Sequence, residues 1–323
     1  MMQWSRTSCV ALLLLLQGCT HTTLLSTRSP VPSPPAYPRL LAVYEPWFGH
    51  PRHIAVGYSS QDPLEIRKQI DQAKNLGIAG FVVDWYGDRE PFIDRSYALV
   101  QSIAAEKQFK VAMMYDESDG QEEQATDDAL AAFRKFNETY LVADAIGRQA
   151  YLTYGDRPVI FIFPKGGHTN WNRVRADANS WNPRPLLIYE DRTTPYAGVM
   201  DGFYAWINPG EKGWALDGSN WGEDYLRGFY RRMQSKYPDK ITVGAAWAGF
   251  DDSKAAWGLS RHISQRCGKT FSDTLGLARE SSSPEHPLPF VLIETWNDYE
   301  EGSAIEAGLA QCKTESGMSS PGH

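Results

Sequence analysis

The stretch Phe290-Val-Leu-Ile-Glu-Thr-Trp-Asn-Asp-Tyr-Glu-Glu-Gly-Ser-Ala-Ile-Glu306 begins as an apolar run and turns abruptly into carboxylates and aromatics. Its first half has the character of a strand buried on both faces, as in a parallel sheet. Five acidic side chains then fall between Glu294 and Glu306. Charged groups are costly to desolvate, so carboxylates crowded at the end of a buried strand need a reason. In an α/β barrel, that C-terminal end is where the chemistry sits.

Seven more segments read as strands: 40–47, 79–85, 110–115, 158–163, 185–189, 202–207 and 241–247. With 290–296 they make eight. Helical patterns lie between most of them, at 63–76, 94–107, 125–146, 225–236 and 271–279. Asp62-Pro63 with Glu65 and Gln69 opens the first helix well, and Asn75-Leu-Gly77 closes it. The connection around 193–200 is too short to promise a regular helix. So few residues follow Glu301 that an eighth helix must be short or missing. Eight β/α repeats in about 285 residues predict a single-domain (β/α)8 TIM barrel rather than an open doubly wound sheet. No GxGxxG follows the first strand, which removes the main support for a dinucleotide fold.

Nearly every strand ends in polar or aromatic residues at its C-terminal side: Tyr44, Glu45 and Trp47; Asp84 and Trp85; Tyr115 and Asp116; Glu190; Trp206; Trp247; Trp296 and Asn297. The strand starts are bland. That one-sided polarity is what a barrel with one active face predicts.

The chain has 323 residues, and aromatics make up 12% of it, with 11 Trp and 16 Tyr. The excess favours stacking of flat ligands or sugar rings, with core packing as the competing use. Net charge is -7, and no Lys/Arg run or basic stripe is present, which excludes nucleic acid as the expected partner.

Arg6 followed by the apolar run 10–16 reads as an export signal, since the run is far too short for a permanent membrane helix. Leu16-Gln-Gly-Cys19 resembles the bacterial lipobox, which implies lipidation at Cys19; an ordinary cleaved signal is the alternative. The expected organisation is a lipoprotein signal peptide over 1–18, a Pro/Ser/Thr-rich tether over 19–37, the barrel over 38–312 and a disordered tail over 313–323. Cys267 and Cys312 remain as a possible disulfide, which spacing alone does not establish. The protein is expected in the bacterial cell envelope as a monomer, touching membrane only through the lipid.

Asp298 and Glu301 are three residues apart. On an extended strand they would face opposite sides, whereas in a helical or tight turn they become neighbours. The strand is therefore expected to end near Asn297, with Gly302 easing the turn. Two carboxyls held close in a sheltered, Trp-lined site push each other's pKa apart, so one stays ionised while the other keeps its proton. That is the equipment for breaking a glycosidic bond.

The motif from Trp296 to Glu306 resembles the end-of-barrel motif of glycoside hydrolase family 99, the endo-α-mannosidases and endo-α-mannanases, where it reads Trp-Asn-Glu-Trp-His-Glu-Gly-Thr and ends Ile-Glu. It is also similar to the Trp-Asn-Asp-Tyr/Trp-Gly-Glu-Ser motif of family 71, the α-1,3-glucanases. Val43-Tyr-Glu-Pro-Trp-Phe48 resembles the first-strand signature Tyr-Pro-Trp-Tyr, and residues 77–87 the second strand. The resemblance implies that Asp298 is the first catalytic carboxylate and Glu301 the second. In family 99 the first is a base acting on the sugar 2-hydroxyl, and the second is general acid, then base. Here Asp stands for Glu at 298 and Glu300 for His, so retention and inversion both stay open.

The expected function is hydrolysis of α-linked glycans of the α-mannan or α-1,3-glucan type, without metal or cofactor. A glycan-binding lipoprotein without turnover is the alternative. Tyr44, Trp47, Trp85, Trp206, Trp247 and Trp296 are candidate sugar platforms, each with core packing as its rival. Tyr115 belongs with the expected substrate contacts, and Glu45, Asp84, Asp116, Glu190 and Asn297 are candidate partners for sugar hydroxyls. Neither HExxH nor a ligand-spaced His pair is present, and His50 and His53 are expected on a surface loop.

Overall fold

The computed structural model describes residues 38–191 and 194–311. The expected signal peptide, tether, lipidation at Cys19, Cys312 and tail all lie outside the described residues. Cys267 is disulfide-bonded.

The strands in chain order are β1 (Arg39–Tyr44), β2 (Ile78–Trp85), β3 (Lys110–Asp116), β4 (Thr153–Tyr154), β5 (Arg157–Phe163), β6 (Leu186–Glu190), β7 (Gly202–Tyr204), β8 (Ile241–Ala246), β9 (Phe250–Asp251), β10 (His262–Ile263) and β11 (Phe290–Ile293). Strands β1, β2, β3, β5, β6, β7, β8 and β11 pair parallel in that cyclic order, and β11 returns to β1 to close the barrel. The helices are α1 (Pro63–Asn75), α2 (Pro91–Glu106), α3 (Glu122–Phe136), α4 (Trp171–Ala178), α5 (Glu223–Lys236) and α6 (Lys269–Ser281). The chain is a single-domain TIM barrel, and all eight predicted strands are present.

Helix α1 begins as its sequence dictates. Pro63 occupies the first turn, where no N–H is needed, and the Asp62 carboxylate accepts from the Leu64 N–H at 2.8 Å. Helix α3 stops earlier than the pattern suggested and passes into a π-turn over Asn137–Leu141. There Tyr140 turns inward and donates to Asp94 at 2.7 Å, while Gln101 donates to the carbonyls of Tyr140 and Ile146. Helix α4 was not anticipated. It is short, and Asn170 caps it by accepting from Arg173 N–H at 3.3 Å. Among the described residues, a 3-10 turn at Thr194–Tyr196 is the only regular element between β6 and β7, and no helix follows β11.

Period-two alternation splits the core into two layers. Leu41 and Val43, Val82, Ala112 and Met114, Phe161 and Ile188 point into the barrel and form one cluster. Their neighbours Ala42, Tyr44, Phe81, Trp85, Val111 and Tyr115 point outward and pack beneath the helices. The inner layer is apolar up to the strand ends, where it gives way to carboxyls.

Candidate active site

Following the inward parity to the C-terminal rim brings Glu45, Asp84, Asp116, Glu190 and Glu294 onto the inner face. All five are at least nine-tenths buried. Oε2 of Glu45, Oδ1 of Asp84 and Oδ1 of Asp116 find no hydrogen-bond partner among the described residues. The Lys165 ammonium, on the loop after β5, sits 3.2 Å from Asp116. Burial pushes the Glu45 carboxyl well up, and the charges of Asp84, Asp298, Glu301 and Asp116 add to it. Asp84 is pushed well up by burial and then by Asp116, with Lys165 opposing. Asp116 rises to about 6, again through burial, against the pull of Lys165.

Above this layer stands the turn that follows β11. The strand ends at Ile293, earlier than the expected Asn297, and the Glu294–Thr295 peptide is cis. The Asp298 N–H donates to Thr295 Oγ1 at 2.8 Å, and Asp298 Oδ1 accepts from the N–H groups of Glu300 and Glu301 at 2.9 and 2.8 Å. The side chain thus folds its own loop into a tight turn. Gly302 takes φ of 59°, and a Cβ there would stand 3.1 Å from the Asp251 backbone oxygen. The expected tight turn over 298–301 is present, and the Glu301 charge acts on Asp298 across it.

Asp298 is pushed well above the usual carboxylate range by burial, then by Glu301, with the two backbone N–H groups opposing. Burial also raises Glu301, while the Trp257 hydrogen bond and Arg261 restrain it. The charge of each makes the other harder to ionise, so the pair gives up its protons in two separate steps. Glu301 Oε1 accepts from Trp257 Nε1 at 2.8 Å. Trp257 rides on the loop between β9 and β10. Asp252, fully buried, ties that loop by accepting from the N–H groups of Leu259 and Arg261 at 3.0 and 2.7 Å.

The other acids of the motif are structural. Glu300 accepts from Ile54 N–H at 3.1 Å and lies 2.7 Å from His53 Nδ1, clamping the loop after β1. Glu306 accepts from Tyr58, Tyr299 and Gln69. Asn297 accepts from Glu45 N–H at 2.7 Å and donates to its carbonyl at 3.0 Å. Its polar atoms are consumed in joining β1 to the last turn, which corrects the expectation that they meet sugar hydroxyls.

The aromatic platforms need a larger correction. Tyr44, Trp85, Tyr115, Trp247 and Trp296 have no exposed surface and belong to the outer layer. Tyr44 donates to Gln69, Trp85 to Asp94 and Trp247 to the Trp221 carbonyl. Tyr115 packs on Phe133 and Trp296 on Phe81. No sugar reaches rings that sit between strands and helices. Trp206, by contrast, stands partly open on the inner side, edge-on to Phe163. Trp47 stacks on His53, ring centres 4.8 Å apart and nearly parallel. His53 is therefore held in the mouth rather than loose on the surface.

Among the described residues, no group of three or more His, Cys, Asp or Glu side chains is arranged to hold a metal ion. Trp257 and Lys165 escaped sequence reasoning, and His53 reads there only as a surface residue, because each lies on a loop remote from the acid motif. Only contact in three dimensions connects them.

The barrel is similar to solved glycoside hydrolase structures. The GH99 endo-alpha-mannosidase from Bacteroides thetaiotaomicron, in complex with BIS-TRIS-propane, aligns with a TM-score of 0.64 at 21% identity, over 83% of this chain and 86% of that one. A second structure of a GH99 endo-alpha-mannosidase from that organism aligns at 0.64 and 19%, over 83% and 87%. A glycoside hydrolase-like protein aligns at 0.58 and 15%, over 88% and 91%. The shared feature is the fold. No family model and no curated protein matches the chain.

Proposed function

We propose that this protein is a glycoside hydrolase that cleaves α-linked glycans at the mouth of its barrel, with Asp298 and Glu301 as the reacting carboxyls. The carrying observation is their arrangement in one turn. Asp298 is locked by two backbone N–H groups, and Glu301 stands beside it, held from the rim by Trp257. Burial raises both carboxyls, and the two backbone N–H groups at Asp298 oppose that rise by favouring its ionised form.

Glu301, nearer the opening, gives its proton to the glycosidic oxygen as the bond to the anomeric carbon breaks. Asp298 supplies the base. Acting on the sugar itself it yields retention; acting on an intervening water it yields inversion. In either route water supplies the new hydroxyl at the anomeric carbon. The carboxyls of Glu45, Asp84, Asp116 and Glu190 face the same space and would accept hydrogen bonds from sugar hydroxyls, with Trp206 as an exposed ring among them.

The test is a screen of α-mannans and α-1,3-glucans, with NMR of the first-formed anomer. Asp298→Asn and Glu301→Gln should each lower turnover by about 10²-fold or more while leaving the fold intact. Unchanged turnover in both would overturn the assignment. Glycan binding without turnover in the parent would establish a binding protein on the same barrel.

Export and anchoring through Cys19 are part of the same reading, supported by the lipobox-like Leu16–Cys19 sequence. A Cys19→Ser variant should lose incorporation of labelled palmitate in a bacterial host.

A further inference from the structure

Beside the acid turn lies a cleft of about 280 Å³, lined by Trp47, His53, Tyr86, Ile93 and Trp257 among others. That volume gives room for one pyranose unit. Its walls are built rather than incidental. His53 is fixed by Glu300 on one side and by the Trp47 stack on the other. The Trp257 ring meets both steeply, at 76° to Trp47 and 69° to His53, making a corner of flat surfaces. Trp257 is 45% exposed, which is unusual for a Trp whose N–H is already committed inside the protein. The rim carries His50 and the Arg52–Glu90 ion pair, supplying donors and acceptors around an aromatic corner.

We propose that this cleft is a pyranose-binding subsite next to the acid pair, and that Trp257 is a positioning residue linking it to Glu301. The inference rests on the glycoside hydrolase reading and extends it to a second sugar. Stacked aromatics offer the apolar C–H face of a pyranose a surface, while the rim takes its hydroxyls. A sugar seated against Trp257 immobilises the same indole whose N–H orients Glu301. Binding away from the cleaved bond is thereby spent on aligning the acid.

The linkage has a signature in pH. Glu301 faces Asp298 in its own turn, Glu45 at the end of β1, Lys165 after β5, and Asp252 and Arg261 on the loop bearing Trp257. Of these contacts the Trp257 N–H is the hydrogen bond that favours the ionised carboxylate. Removing it raises the pKa of Glu301 and moves the basic limb of the kcat profile to higher pH.

The test uses calorimetric titration of the Asp298→Asn protein with α-1,6-mannotriose and α-1,3-glucotriose, so that binding is read without turnover. Adding Trp257→Ala should weaken the bound trisaccharide tenfold or more, and Trp257→Phe, which keeps a ring, less than threefold. Undiminished binding after Trp257→Ala, or no binding of either sugar by the folded parent variant, overturns the subsite. In the active protein, Trp257→Phe should shift the basic limb upward; an unmoved limb overturns the link to Glu301. If the active protein turns over no glycan, the hydrolase reading fails, and calorimetry still decides the subsite.

Discussion

Asp84 and Asp116 show what the site costs the molecule. Each is buried on the inner face of the barrel with an oxygen that has no partner among the described residues. A carboxyl whose pKa is higher folded than unfolded holds its proton longer in the folded state. Its penalty is absent below the unfolded value and grows as pH rises toward the folded one. For Asp116 that window runs from 3.8 to about 6. Asp84, pushed well up by burial and by Asp116, adds to the same trend. The melting temperature should therefore fall as pH is raised from 4 through 6. Asp84→Asn should flatten this slope and raise the melting temperature at pH 7, while weakening glycan affinity. A lower melting temperature for Asp84→Asn at pH 7 would contradict this account. The residue scale was half legible. Glu45, Asp84 and Asp116 were picked out, and the neighbouring Tyr44, Trp85 and Tyr115 were grouped with them. Successive strand residues face opposite sides, so a strand whose acid points inward must send the adjacent ring outward. That parity was present in the sequence.

At the scale of elements, the segment after β11 is what makes a site of a strand end. Three attachments shape it: Asp298 to its own backbone, Asn297 to the end of β1, and Glu300 to the loop bearing His53. Asn297→Ala would strand the buried Glu45 N–H and carbonyl, at a cost of about 1–3 kcal/mol for each group left unsatisfied. Chemical denaturation should show that loss, and activity should drop with it because Glu45 and Asp298 lose their common anchor. Stability within about 0.5 kcal/mol of the parent would show that water replaces the carboxamide. The turn was legible because a three-residue spacing of cooperating carboxyls excludes an extended chain. The two loops that meet it, carrying His53 and Trp257, were not legible. They reach the site by tertiary packing, and no local pattern in either sequence announces it.

For the whole molecule, closure of eight strands produces both the apolar interior and the acidic mouth. Phe161 lies wholly inside, edge-on to Tyr204, where nothing but the barrel's own side chains can fill the space. Phe161→Ala should cost about 3–5 kcal/mol, read from denaturant midpoints. A loss below about 1 kcal/mol would mean that the interior collapses around the gap. The barrel was legible because eight apolar runs with polar ends leave few alternatives in a chain of this length. Helix α4 was missed because its eight residues mix buried Trp171 and Val174 with charged neighbours, too short a span for a period to emerge. The fold is shared with the GH99 endo-alpha-mannosidase structures at about a fifth identity, so the chemistry has to be shown on this chain's own residues. The most direct measurement is an NMR time course of an α-mannan or α-1,3-glucan oligosaccharide with the parent protein and with Asp298→Asn and Glu301→Gln. A new reducing-end anomeric signal should grow with the parent and fall by about 10²-fold or more in both variants; equal rates in all three would contradict the assignment of the carboxyl pair.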